Sequence, residues 1–151
     1  MEKIFILALI FSAPSVFADV LKDELNGAWQ PKSSICVETK RAVPINSTVE
    51  QYVFDSQAQT VQLGLKDQEC DIAVKYDFKY EKEAFSLSNP RRIRWVCPAS
   101  VDDSAPDIDM SFEFKRNSIG ETDLVILIPA GSAPECGLGP REVTLVRIPA
   151  G

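Results

Sequence analysis

The chain has 151 residues, a formal net charge of −6, four cysteines and no histidine. Its acidic balance, without a long basic run, argues against nucleic acid and anionic membrane as partners. The missing histidine removes the commonest general base and the commonest metal ligand together.

The first segment reads as an export signal. Met1-Glu2-Lys3 precedes an apolar run from Ile4 to Phe11, Pro14 breaks it, and Val16-Phe17-Ala18 supplies the small or β-branched residues of a signal-peptidase cut. That run is too short to span a bilayer, and no cysteine follows it to carry a lipid. The expectation is a signal peptide over 1–18 and one exported domain over 19–151, periplasmic or secreted, with no integral membrane segment after cleavage.

From there the hydropathy period is two almost throughout. Ile72 to Tyr80 alternates apolar or aromatic residues with small or charged ones, and Met110 to Lys115 does the same. Thr48 to Asp55 and Thr60 to Lys66 form a hairpin around Ser56-Gln57-Ala58-Gln59. Leu124 to Ile128 and Val143 to Ile148 are apolar runs that Pro129 and Pro149 stop. Eight strands result, over 27–37, 48–55, 60–66, 71–80, 84–96 with a break at Asn89-Pro90, 110–116, 123–129 and 141–148. Between a sandwich and a barrel, connection length favours the barrel. Short turns near 56–59, 81–83 and 117–122 fall at one end, and the connections 38–47, 67–70, 97–109 and 130–140, mostly long, at the other.

Cys36, Cys70, Cys97 and Cys136 all land at the long-loop end. An even number in an exported chain with no CxxC pair reads as two disulfides rather than a metal site. Pairing 36–70 with 97–136 and pairing 36–136 with 70–97 both join neighbouring connections, and the first is preferred. The diagonal pairing would cross the barrel mouth.

Gly27-Ala28-Trp29 at the start of the first strand, Thr122-Asp123 in "GETDLV" and Arg147 in "TLVRIP" fall together at the short-turn end. This set resembles the lipocalins of the calycin superfamily. The fold it implies is all-β, an eight-stranded antiparallel up-and-down β-barrel, here without the C-terminal helix of standard lipocalins. The resemblance also implies structural roles for Gly27, Trp29, Thr122, Asp123 and Arg147, with the arginine packed over the tryptophan to close the floor. A small bacterial lipocalin-like protein is the closest description. The helical lid of fatty-acid-binding proteins and the polar set of avidins are both missing.

A barrel interior suits an apolar or amphipathic ligand. Strand phase points Val61, Leu63, Leu65, Ile72, Val74, Tyr76, Phe78, Ile93, Trp95, Phe112, Phe114, Val143 and Leu145 inward. Of these, Tyr76 and Trp95 can both stack on a ligand and hydrogen-bond it, and Phe78, Phe112 and Phe114 complete an aromatic lining. Such bulky residues equally suit a filled core, and that alternative stays open. Arg91, Arg92 and Arg94 form one basic cluster, of which Arg92 and Arg94 are candidates for an acidic group on the ligand. Asp102, Asp103, Asp107 and Asp109 lack the spacing of a calcium loop. With no Gly-x-Ser-x-Gly elbow either, no catalysis, metal or cofactor is expected. Two functions follow. One is an exported protein that binds a small hydrophobic or amphipathic molecule in its barrel. The other is an interaction module, an inhibitor or envelope factor, that meets an envelope or extracellular protein with its disulfide-laced loops, including "PAGSAPECGLGPRE".

Overall fold

Alternating residues give each strand one face to bury, and a sheet closed on itself buries all of those faces at once. The computed structural model describes residues 23–44, 49–66, 69–81, 84–99, 107–129 and 134–150, so the signal peptide expected over 1–18 lies outside the described residues. The strands are β1 (Gly27–Cys36), β2 (Gln51–Asp55), β3 (Thr60–Lys66), β4 (Asp71–Glu81), β5 (Ala84–Val96), β6 (Ile108–Arg116), β7 (Thr122–Ile128) and β8 (Arg141–Arg147). Each pairs antiparallel with its chain neighbour and β8 returns to β1, closing an up-and-down barrel. Among the described residues, helix is confined to one turn at 23–25 and a 3-10 helix, Pro134–Cys136. No helix among them is long and apolar enough to cross a membrane.

The short turns are built by side chains that accept backbone hydrogens. Asp55 Oδ1 accepts from the amides of Gln57 and Ala58 at 3.1 and 3.0 Å, and Asn117 Oδ1 accepts from Ile119 and Glu121 at 3.1 and 3.0 Å. Strand bounds lie close to those expected, except that β2 begins at Gln51 rather than 48 and β6 at Ile108 rather than 110.

Two strands depart from simple alternation. In β1 the register shifts between Pro31 and Ser33, so the buried positions change from Trp29 to Ser34 and Cys36. Pro31 has no amide hydrogen for the ladder, and a bulge accommodates it. In β5 the expected break at Asn89-Pro90 is absent, and the strand runs on through register shifts opposite Ala73/Val74 and Lys75/Asp77. Asn89 takes the left-handed conformation there, with φ 55°. These shifts correct one inward assignment: Ala73 faces Arg94 and Val74 faces Arg92, which leaves Ile93 unopposed and 56% exposed.

Rings fill the barrel interior. Phe54 meets Phe78 and Phe85 edge-on at 5.8 and 6.0 Å, Phe85 meets Phe112 at 5.1 Å, Phe112 meets Phe114 at 5.9 Å, and Phe114 meets Trp29 at 6.3 Å. Leu25, from the helical turn, and Leu124, Ile126, Val143 and Leu145 close around them with almost no exposure.

The disulfides are Cys36–Cys136 and Cys70–Cys97, which corrects the preferred pairing 36–70 with 97–136. Barrel closure is the cause. Cys36 sits on β1 opposite Arg141, the first residue of β8, and Cys136 ends the 3-10 helix just before that strand. Cys70 and Cys97 flank the paired residues Asp71 and Val96. Each bridge therefore joins adjacent strands, whereas 36–70 and 97–136 would each have to reach from one strand to another three places around the wall. Two disulfides fit an oxidising compartment outside the cytoplasm.

Candidate functional site

The short-turn end is sealed. Trp29 is fully buried and its Nε1 donates to the Leu25 carbonyl at 2.9 Å. The Arg147 guanidinium lies 4.4 Å from the Trp29 ring and donates to the carbonyls of Asn26, at 2.6 Å, and Glu24. Gly27 has φ 118°, and a Cβ there would stand 3.0 Å from Arg147 Nη1. Asp123 is buried beside this base, accepting from Asn117 Nδ2 at 3.1 Å with Lys32 Nζ 3.7 Å away, while Thr122 is exposed and pairs with Arg116. Trp29, Arg147 and Asp123 each find a partner within this base, which makes it a structural closure.

Phe78, Phe112 and Phe114 of the expected ligand set belong to the ring cluster and touch one another or its other members. Tyr76 is buried in the same core, and burial, then the charge of Asp107, pushes its phenol above its ordinary pKa. A groove of about 850 Å³ runs instead along the outer wall, past Lys79, Glu81, Ser86, Asp109, Ser111 and Leu127.

The long-loop end is different. β5 pairs with β6 only from Ala84 to Leu87, and beyond that point the β6-side edge of β5 has no strand partner among the described residues, while β4 stays paired with β3 as far as Lys66 and Asp71. Trp95 sits there opposite Ile72, partly buried, with the Arg92 guanidinium 4.9 Å from its ring centroid. The bulge at Ile93 turns both Arg92 and Trp95 to the inner face, although they are three residues apart. Arg94 is not with them: opposite Ala73 on the outer face, its Nε donates to Asp71 Oδ1 at 2.8 Å. Arg91 likewise donates to Asp77 at 2.7 Å, and that bond, with a second from Asn89, holds the exposed Asp77 carboxyl below its ordinary pKa. Asp102 and Asp103 lie outside the described residues.

Across the mouth, two buried polar groups stand together that were not among the expected site residues. Arg141 and Ser34 are both on inward faces, 8% and 3% exposed, and on adjacent strands: Cys36 is opposite Arg141 and Ser34 is opposite Val143. Arg141 Nε and Ser34 Oγ have no hydrogen-bond partner among the described residues. Tyr52 is buried within reach of the Arg141 charge. Burial pushes its phenol up to about 12, against the opposing pull of that charge. Arg141 shares its phase with the inward Val143 and Leu145, so this position was readable from alternation. Ser34 was not, because the bulge at Pro31/Ser33 reverses the phase of β1.

Comparison with known proteins finds no match: no family model, no curated protein and no solved structure is significantly similar to this chain.

Proposed function

We propose that this protein is an exported, lipocalin-like barrel that binds a small hydrophobic or amphipathic molecule at its mouth, in the periplasm or outside the cell, and that it catalyses no reaction. The observation that carries this reading is the Arg92–Trp95 pair. An inward-facing indole, only partly buried, lies under a guanidinium where β5 has outrun β6. Such a ring offers a ligand an apolar face and an N–H donor. The ring cluster below fills the deeper barrel, so the ligand sits shallowly rather than in a central cavity. Charge balance supports a small-molecule partner over nucleic acid, as does the ion pairing of Arg91 and Arg94 with Asp77 and Asp71.

Tryptophan emission tests the reading directly, because the chain has two tryptophans and Trp29 is sealed at the far end. Titration of the mature, oxidised protein with dodecanol is expected to give a saturable change that disappears in Trp95→Phe while the far-ultraviolet spectrum is kept. No saturable change in the wild-type protein would reject a ligand at the mouth.

A second reading, protein recognition through the cross-linked loops, is favoured by exposed Ile93, Val96 and Leu138 at the same end of the barrel. Rigid loops lose little entropy on binding.

A further inference from the structure

We infer that the outer wall from the end of β4 to the start of β8 is a docking surface for a cationic protein, one that presents lysine or arginine on either side of an apolar side chain. The surface is built from outward-facing residues and does not depend on what the barrel mouth holds.

Strand pairing sets five of those residues in one row. Glu81 stands opposite Ala84, Ala84 opposite Ser111, Ser111 opposite Leu127, and Leu127 opposite Glu142. The row crosses four strand spacings, about 19 Å along the wall, with a carboxylate at each end and small or apolar side chains between. All five line one groove of about 380 Å³, joined by Glu113 and Val125 from the next row. The larger outer groove continues from it past Asp109, with Lys79 the one base lining it among the described residues. Ala84, Ser86 and Ser111 are short side chains among longer ones, which is why a convex wall is hollowed here.

Four carboxylates, Glu81, Asp109, Glu113 and Glu142, thus surround an apolar strip, and no lysine or arginine lines the smaller groove among the described residues. Glu81, Asp109 and Glu142 form no ion pair among the described residues, while Glu113 has an exposed one with Lys115 at 3.4 Å. Leu127, at the middle of the strip, is 37% exposed. An apolar centre inside a rim of one charge is the anatomy of an interface with a partner of the opposite charge. The same rim repels nucleic acid and anionic membrane. A small cation is a poorer fit, because ligand pockets enclose about 70–90% of what they bind and this groove lies open on the outer wall. A second copy brings the same acids, and Arg91 and Arg94, which face outward on β5, are already paired with Asp77 and Asp71. A cationic protein covers the strip and neutralises the rim together.

The experiment titrates the oxidised protein, at low salt, with a peptide that carries a leucine tract between two lysine tracts. Anisotropy reads affinity, amide NMR signals locate the contact, and sedimentation without peptide reads the oligomeric state. Saturable binding is expected, with shifted signals concentrated at Ala84, Ser111, Leu127 and Glu142. Glutamate in place of lysine in the peptide is expected to abolish binding, and serine in place of leucine to weaken it about five- to tenfold. Glu81→Lys combined with Glu142→Lys is expected to weaken it about tenfold or more. Glu38→Lys combined with Glu135→Lys changes the net charge equally at exposed residues of the loop end, and is expected to leave affinity within about twofold. Leu127→Ser, which keeps every charge, is expected to weaken binding severalfold. Thermal unfolding of both double variants is expected to match the wild type, because none of the four glutamates forms an ion pair among the described residues. Equal losses in the two double variants, or signals shifted at the mouth instead of along the row, reduce the binding to general attraction by an acidic chain and overturn the surface. Absence of saturable binding overturns it too. A dimer that Glu81→Lys with Glu142→Lys dissociates assigns the wall to a second copy and overturns the cationic partner.

Discussion

Gly27 shows how one residue joins backbone geometry to a long-range contact. Its φ of 118° lies where an L-residue is strained, and the space its Cβ would fill is held by the Arg147 guanidinium that covers Trp29. Gly120 also has positive φ, 82°, but nothing lies within 4 Å of its absent Cβ. Gly27→Ala is therefore expected to cost about 2 kcal/mol, from backbone strain plus displacement of Arg147. Gly120→Ala is expected to cost about 1 kcal/mol, from strain alone. Urea unfolding of the two variants checks the order; equal losses would mean that the Arg147 contact contributes nothing. At this scale Arg141 was readable too, from its phase with Val143 and Leu145. That its Nε has no hydrogen-bond partner among the described residues was not, because that depends on which side chains face it from neighbouring strands.

Bulges decide what each element presents. Alternation placed nearly every strand, because a residue period of two follows from the pleat alone. It failed at Ile93, and alternation carried across Pro31 and Ser33 would misplace Ser34, for one reason: an extra residue in one strand of a pair reverses the phase of everything beyond it. In β5 this carries Arg92 and Trp95 to the inner face and leaves Arg91 and Arg94 outside, each bonded to an aspartate of β4. Asn89, at φ 55°, is the hinge of that change, and its Nδ2 also donates to Asp77 at 3.0 Å. A β-branched residue is disfavoured in the left-handed region, so Asn89→Val is expected to lose about 1–2 kcal/mol. Asn89→Gly, which gains conformational ease and loses one exposed hydrogen bond, is expected to change stability by less than about 1 kcal/mol. Equal losses in thermal unfolding would show that the left-handed turn is not what the site requires.

The whole molecule is a closed wall with two staples. Cys36–Cys136 closes a sequence separation of 100 residues and Cys70–Cys97 one of 27. In the chain-entropy account the longer loop constrains the unfolded state more, by about 4.7 against about 3.6 kcal/mol. Replacing Cys36 and Cys136 by serine is thus expected to cost about 1 kcal/mol more than replacing Cys70 and Cys97, as read by guanidinium unfolding. The reverse order would place the main effect of the bridges in the native state. Strand number, the phase of the strands without bulges and the division between a short-turn end and a long-loop end were determined by sequence alone, since they rest on local patterns of polarity and turn chemistry. Which cysteines pair, which arginines of β5 face inward, and whether a buried polar atom finds a partner were decided only by tertiary structure. All three depend on the meeting of β1 with β8 and on the register of pairs that bulges shift, contacts between residues far apart in the chain that no local pattern contains.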